Sequence, residues 1–316
     1  MKVLANDGIA QSGVKALETA GIAVDLSTIA QDQLVNYINT NEIDVLLVRS
    51  ATKVRTDIID GCPSLKIIGR GGVGMDNIDV DYAREKGLYV INTPAASSHS
   101  VAELVFAHMF GMVRFLHQSN REMPLEGDTK FKTLKKAFAK GVELRGKTLG
   151  VIGFGRIGQA TAKIALGLGM KVVAFDPFID EVNLELEFFD HQSIFFNINT
   201  ITKEEVLQQA DFISLHVPAQ DEYVISTKEF EIMKDGACIV NAARGGVIDE
   251  VALVKALEEG KIAKAALDVF ENEPTPEIQL LMNPNLSLTP HIGAATSEAQ
   301  DRIGTELAQQ IIEILG

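Results

Sequence analysis

Two doubly wound parallel α/β sheets are the fold this sequence predicts, a Rossmann nucleotide-binding domain and a flavodoxin-like substrate domain. Three observations predict it. Short apolar runs alternate with helical stretches from Val3 to Ile91, the same alternation resumes at Lys147, and the second series opens with Gly153, Gly155 and Gly158 in the spacing G-x-G-x-x-G, directly behind the apolar run Leu149 to Ile152. Strands that alternate with helices build a parallel sheet covered on both faces.

In the first series, Val3 to Ala5, Ala23 to Leu26, Val45 to Val48, Ile67 to Ile68 and Leu88 to Ile91 read as strands. Helices are expected near Ala10 to Ala20, Gln31 to Asn39 and Asp79 to Lys86. Gly69 to Gly74 is a second Gly-rich turn, at the carboxyl end of the fourth strand, where a doubly wound sheet places its functional loops. Thr93-Pro94 stops the fifth strand, and the small polar run Ala95 to Ser100 leads into a long helix from about Ser98 to Gln118. Its apolar residues spread too far around the axis for a surface helix, so burial between domains or subunits is expected. The stretch Asn120 to Glu143, with Lys130, Lys132, Lys135, Lys136 and Lys140, reads as a solvated or subunit-facing basic arm.

From Lys147 the strands are Leu149 to Ile152, Val172 to Phe175, Phe212 to Leu215, Cys238 to Val240, Ala265 to Leu267 and Leu286 to Leu288. Residues 180 to 200, with Phe188, Phe189, Phe195 and Phe196, read as a variable surface strand. The helix Thr296 to Leu315 carries an apolar stripe of Ile303, Leu307, Ile311, Ile312 and Leu315, which must pack somewhere. It is expected to cross back onto the first domain. That gives a discontinuous substrate domain, 1–97 plus 292–316, and a nucleotide domain, 98–291, with the active-site cleft between them.

Composition narrows the partners. The 316 residues are 46% hydrophobic, enough for two cores of ordinary size. A net charge of −14 argues against nucleic acid or an anionic membrane surface, so any anionic ligand must be met by local cations. The two cysteines, Cys62 and Cys238, lie in or beside apolar segments and read as buried filler. No apolar stretch is long enough to span a membrane, and Met1 to Asn6 opens as a strand, so a cytoplasmic protein is expected, with no metal site.

The glycines carry the first piece of chemistry. Gly153 permits the turn, Gly155 lets a pyrophosphate approach the backbone, and Gly158 lets helix and strand pack closely, with the phosphates on the helix N-terminus. The next strand ends at Asp176, about 20 residues on, placed to accept from adenosine ribose hydroxyls. Its charge would repel a 2′-phosphate, which favours NAD. Among six histidines, His291 follows a strand in Leu288-Thr-Pro-His-Ile-Gly293 and is the candidate acid/base, while His108, His117 and His191 read as structural or solvated. His99 lies in the linker between domains, and His216, with Val217 and Pro218 behind it, closes a nucleotide-domain strand and would border the cofactor. Arg244, in the Gly-flanked turn Asn241-Ala-Ala-Arg-Gly-Gly246, suits a carboxylate. Asp268, Glu271 and Glu273 precede Pro274, and one of them could orient His291. Arg49 and Arg70 close the third and fourth strands, with Lys53 nearby, and are candidates for a substrate phosphate. Ser50 belongs to the same candidate set, and Gly72, Val73 and Gly74 could present backbone N–H groups to a carboxylate. The competing reading pairs the two arginines with Asp76 or Asp79.

These residues resemble the D-2-hydroxyacid dehydrogenases. The likeness runs through Val48 to Val54, Gly69 to Asp79, Asn92 to Pro94, the glycine fingerprint with Asp176-Pro177, His216 to Pro218, Asn241 to Asp249, Asp268 to Pro274 and Pro290 to Thr296. It implies Arg244, Glu273 and His291 as the catalytic set, and NAD contacts at Arg156, Ile157, Asp176, Pro218, Ala242 with Ala243, and Asp268. A homodimer formed through the nucleotide domains is also implied. Within the family the pattern is closest to members that oxidise 3-phosphoglycerate; hydroxypyruvate or glyoxylate reduction is the near alternative, and an NAD-sensing corepressor the more distant one. One feature departs from the family pattern, Ala95 to Ser100 in place of an Asn-containing loop, while the basic arm keeps Phe131 where an aromatic, often Trp, is usual. The regulatory domain of longer members would have to follow Gly316, so no inhibition by L-serine is expected.

Overall fold

The computed structural model describes residues 1–316, which divide into two compact units, Met1–Ser100 with Ala294–Gly316, and Val101–Gly293. The divisions fall at 100/101 and 293/294, a few residues beyond the expected 97/98 and 291/292.

The first unit runs β1 (Lys2–Ala5), α1 (Gln11–Thr19), β2 (Ala23–Asp25), α2 (Leu34–Thr40), β3 (Val45–Val48), α3 (Thr56–Gly61), β4 (Ile67–Arg70), α4 (Val80–Glu85) and β5 (Tyr89–Asn92). Its sheet is wholly parallel, in the order β2-β1-β3-β4-β5. Side chains along a strand alternate between faces, and the core follows that period. Val3, Ala5, Val45 and Leu47 pack on one side of the sheet, and Leu4, Leu46 and Val48 on the other. Helix α3 was not foreseen: its apolar residues, Ile58 and Ile59, are adjacent and show no helical period, yet both are buried.

Helix α5 (Ser98–Val113) enters the second unit at Val101, and α6 (Leu116–Ala137) follows it. The helix expected to reach Gln118 stops at Val113, because Phe115 adopts a left-handed φ of 56°. Lys264 secures the break: its ammonium donates to the Met112 carbonyl at 2.8 Å and lies 4.1 Å from the centre of the Phe115 ring. Helix α5 also keeps an outward strip of Glu103, Ala107 and Phe110, so it is not buried all round. The basic arm is a helix, α6, in which Leu134 is buried and Leu125 and Phe131 face solvent.

The chain continues through β6 (Thr148–Ile152), α7 (Arg156–Gly167), β7 (Lys171–Phe175), β8 (Glu181–Glu187), β9 (Ser193–Asn199), α8 (Lys203–Gln209), β10 (Phe212–Leu215), α9 (Thr227–Ile232), β11 (Ala237–Asn241), α10 (Glu250–Glu258), β12 (Ile262–Leu267), α11 (Ile278–Leu281) and β13 (Leu286–Leu288). Six of these strands form a parallel sheet in the order β13-β12-β11-β10-β6-β7. The single surface strand expected over 180–200 is instead the antiparallel hairpin β8–β9, with Leu184 opposite Phe196 and Val182 opposite Ile198. Its turn, Phe188 to Gln192, contains neither Gly nor Pro and reverses through His191 at φ 63°; its one turn-forming residue is Asp190, whose Oδ1 accepts from the Gln192 N–H at 3.2 Å. Beyond the hairpin, Thr200 makes a parallel bridge to Ala174, a remnant of a further strand beside β7.

The last helix, α12 (Ser297–Leu315), returns to the first unit. Ile303, Leu307 and Ile311 are buried there with Val3, Leu17, Val45 and Ile67.

Candidate active site

In the second unit the chemistry gathers at the carboxyl ends of β6, β7, β10, β11 and β12, around the point where strand order reverses between β6 and β10. Gly153 leaves β6 at φ 91°, and its backbone presses on the His216 carbonyl, so a Cβ there would collide. A Cβ on Gly158 would strike the Gly153 carbonyl, which forces helix α7 close against the turn. Gly155, the N-cap of α7, faces open space with nothing within 4 Å of where a Cβ would lie. A bare N-cap beside free helix amides, with no acidic residue in the first turn, is a cradle for phosphate. Across the turn, Asp176 accepts from the Phe154 N–H at 2.7 Å and the Phe178 N–H at 2.9 Å. The acid is thereby fixed in place, with lone pairs left for ribose hydroxyls. These residues fit a dinucleotide.

His216 follows β10. Burial pushes its imidazole down to about 3, and its Nε2 lies 2.8 Å from the buried Ser214 hydroxyl, so it is a neutral wall rather than an acid/base. Pro218, two residues on, is exposed. After β11, the Asn241 side chain accepts from the Ala243 N–H at 3.0 Å and donates to the Arg244 carbonyl at 2.9 Å, tightening the turn that carries Arg244. Gly245 lets that turn lie directly on the Phe270 carbonyl, where any Cβ would collide.

Three carboxylates follow β12, and the structure separates their tasks. Glu271 accepts from the Glu250 N–H at 3.1 Å while Glu250 accepts from the Glu271 N–H at 2.9 Å. Asp268 is 1% exposed and turned inward. Glu273 alone meets His291: its Oε2 lies 2.8 Å from Nδ1, and its Oε1 accepts from the Phe270 N–H at 3.0 Å. Burial would raise the Glu273 carboxyl, but the His291 hydrogen bond and charge, the Phe270 amide and the Arg244 charge together hold it below the usual carboxylate range. An acceptor at Nδ1 puts the imidazole proton there and leaves Nε2 as a base. The His291 and Glu273 side chains are 38% and 37% exposed, open enough for a substrate to reach. Both line a cavity of about 440 Å³ with Phe270, Pro274, Leu288 and Pro290. A second cavity, about 330 Å³ and lined by Lys140, Lys147, Lys234 and Lys264, lies at the opposite ends of the strands and holds none of these groups.

In the first unit, Asp7 follows β1 and organises the loop after β3. Its Oδ2 accepts from the N–H groups of Arg49 at 2.6 Å and Thr52 at 3.1 Å, and its Oδ1 from the Thr52 hydroxyl at 2.6 Å. Asn77 donates to the Arg49 carbonyl at 2.8 Å. These contacts hold the Arg49 backbone, and its side chain is half-buried. Ser50 beside it is exposed. Arg70 folds over its own turn, where a Cβ on Gly72 would occupy the guanidinium's space, with Val73 and Gly74 half-buried behind. Of the two acids in the competing reading, Asp79 binds Arg55 at 2.7 Å.

Several organising residues were missed from sequence. Asn6-Asp7 stands directly after the first strand, at a functional edge, and that position was a usable signal. His108, expected to be structural or solvated, is buried and hydrogen-bonded on α5. His99 and His117 are exposed, and His191 pairs loosely with Glu187. Cys62 and Cys238 are buried free thiols that burial pushes up to about 11.

Comparison with known proteins identifies relatives at the level of the family. Residues 106–293 match the family model for the NAD binding domain of D-isomer specific 2-hydroxyacid dehydrogenases. Hydroxypyruvate reductase of Thermotoga maritima is 48% identical over 291 residues, covering 90% of this chain and 89% of that protein. D-3-phosphoglycerate dehydrogenase of Methanocaldococcus jannaschii is 44% identical over 321 residues, but there the chain spans only 57% of the relative's length. Among solved structures, Rhodotorula graminis D-mandelate dehydrogenase superposes with a TM-score of 0.84 at 26% identity, covering 98% of this chain and 93% of that one. D-lactate dehydrogenase from Aquifex aeolicus, complexed with NAD and lactic acid, gives 0.75 at 28% identity, with 100% and 95% covered.

Proposed function

The chain belongs to the NAD-dependent D-isomer specific 2-hydroxyacid dehydrogenases, and from that premise we propose that it oxidises D-3-phosphoglycerate to 3-phosphohydroxypyruvate, the first step of serine biosynthesis. Bound NAD supplies the hydride acceptor. His291, its Nδ1–H held by Glu273, takes the 2-hydroxyl proton on Nε2 as the C2 hydrogen leaves as hydride. Glu273 stabilises the imidazolium that forms, and Arg244 grips the substrate carboxylate and the developing carbonyl. The α7 N-terminus with Arg156 and Ile157 holds the pyrophosphate, Asp176 the ribose, and His216, Val217, Pro218, Ala242 and Ala243 border the remainder of the cofactor.

The observation that carries a phosphorylated substrate is Arg49, whose backbone is clamped by Asp7 and Asn77 and whose side chain is half-buried. Arg70, Ser50 and the turn Gly72 to Gly74 complete the substrate contacts in this reading. Charge-assisted hydrogen bonds are worth about 1.5–3 kcal/mol. Arg49→Ala should therefore raise KM for 3-phosphoglycerate by about ten- to a hundredfold and scarcely alter use of glycerate. Equal losses for both would assign Arg49 a structural role. The hydroxypyruvate reductase relative, matched over nearly its full length, favours a second reading, reduction of hydroxypyruvate. Steady-state rates decide between them: a larger kcat/KM for hydroxypyruvate with NADH than for 3-phosphoglycerate with NAD would install the second.

A cytoplasmic homodimer formed through the nucleotide-binding unit belongs to the same proposal. It is supported by α6, which turns Leu125, 79% exposed, and Phe131, 57% exposed, to solvent. A monomer in sedimentation velocity would count against the dimer.

A further inference from the structure

Behind the turn that carries His291, a partly buried chain of polar side chains links α5 to Asp268, the implied cofactor contact. His108, 4% exposed on α5, places Nδ1 2.8 Å from the Ser287 hydroxyl and Nε2 3.0 Å from the Thr289 hydroxyl. Thr289 in turn donates to Asp268 Oδ1 at 2.6 Å. The same carboxylate accepts the Ile292 N–H on Oδ1 and the Gly293 N–H on Oδ2, both at 2.8 Å, and the Asp268 carbonyl accepts the His291 N–H at 2.8 Å. His291 itself sits at φ 54°, a left-handed conformation that side-chain-bearing residues rarely hold without support.

The hydrogens in this chain have one consistent direction. The Thr289 proton is given to Asp268, so toward His108 the Thr289 oxygen accepts, and Nε2 must carry a hydrogen. Nδ1 is then the acceptor for Ser287. Burial holds the His108 imidazole below its ordinary range against the opposing pull of the Asp268 charge, consistent with a neutral ring in this single tautomer.

We propose that His108 is a positioning residue for His291: through Thr289 it keeps the Asp268 carboxylate on the Ile292 and Gly293 amides, and so fixes the left-handed turn from which His291 reaches the substrate. Hydrogen bonds in such a chain polarise and orient one another. Without the Nε2–H, Thr289 loses the donor that fixes its hydroxyl, and the Asp268 anchor loosens at the two amides that follow His291. A misplacement of about 1 Å at a reacting group costs on the order of a hundredfold in rate, so a partial loosening should cost about tenfold. The rate consequence rests on the dehydrogenase reading; the anchoring consequence does not.

The test therefore has two arms. In amide hydrogen exchange, His108→Phe, which keeps a ring but removes both hydrogen bonds, should lower protection at Ile292 and Gly293 by about tenfold and leave the amides of β6 and β10 unchanged. In steady-state kinetics it should lower kcat by about tenfold with KM and NADH affinity within about twofold, and His108→Gln, which can donate to Thr289 and accept from Ser287, should recover most of both losses. Thr289→Val cuts the same chain from the strand side, serves if His108→Phe does not fold, and combined with it should cost no more than either alone. Unchanged protection at Ile292 and Gly293, a loss spread evenly over the sheet, or a Gln variant as impaired as Phe would overturn the proposal. A wild type that turns over no 2-hydroxy or 2-oxo acid would sink the dehydrogenase reading, with the exchange arm still deciding the anchor.

Discussion

At the scale of single residues, the pair His291–Glu273 has the most to answer for. His291→Ala should cut kcat by about 10²- to 10⁴-fold, the usual contribution of a positioned acid/base; near-normal turnover would remove His291 from the mechanism. Glu273→Gln withdraws the charge that favours the imidazolium, so the limb of the oxidation pH profile that follows His291 deprotonation should move to lower pH. A carboxyl held below its unfolded value contributes stability that is present above the unfolded pKa and lost as pH falls through the folded one. The Glu273 contact therefore persists at neutral pH and fails on acidification. Asp176, clamped by two amides, should make wild type prefer NAD to NADP, and Asp176→Ala should narrow that preference by about tenfold or more; equal use of both cofactors by wild type would refute its assigned role. The candidate residues could be named from sequence because strand ends mark functional edges. The choice among Asp268, Glu271 and Glu273 could not be made from residue types alone, because it depends on where the Phe270 turn aims each carboxylate.

Secondary-structure elements were legible wherever apolar period and punctuation agreed. The parallel strand β3 is an uninterrupted apolar run and β10 is broken only by Ser214, whereas the β8–β9 hairpin has Asp190 as its one turn-forming residue and α3 has no helical apolar period. Long-range geometry also decides how α1 and α12 meet. A Cβ added at Gly13 would lie 2.6 Å from the Gly304 carbonyl oxygen, so the helices cross with backbone against backbone. Gly13→Ala must push them apart, at a cost of about 1–3 kcal/mol for an overpacked contact. The expected result is a lower Tm with faster amide exchange in α1 and α12; an unchanged Tm would show that the crossing yields freely.

For the molecule as a whole, the division into a contiguous unit and a discontinuous one matters most. The contiguous unit contains its own six-stranded sheet and two core clusters. Cutting the chain after Gly293 should leave that unit protected in hydrogen exchange and able to bind NADH, while Val3, Leu17, Val45 and Ile67 lose the cover of Ile303, Leu307 and Ile311. Protection of β1 and β3 equal to that of the full chain would contradict this.

The same discontinuity sets a timetable during synthesis. A ribosome adding about 5–20 residues per second takes on the order of 10 to 40 seconds to pass from Val101 to Gly293. The inserted unit can finish folding in that interval. The segment Met1–Ser100, made first, completes its apolar face last, when Ile303, Leu307 and Ile311 have left the exit tunnel. In the nascent protein the exposed sheet face of β1, β3 and β4 is thus the surface most in need of a chaperone.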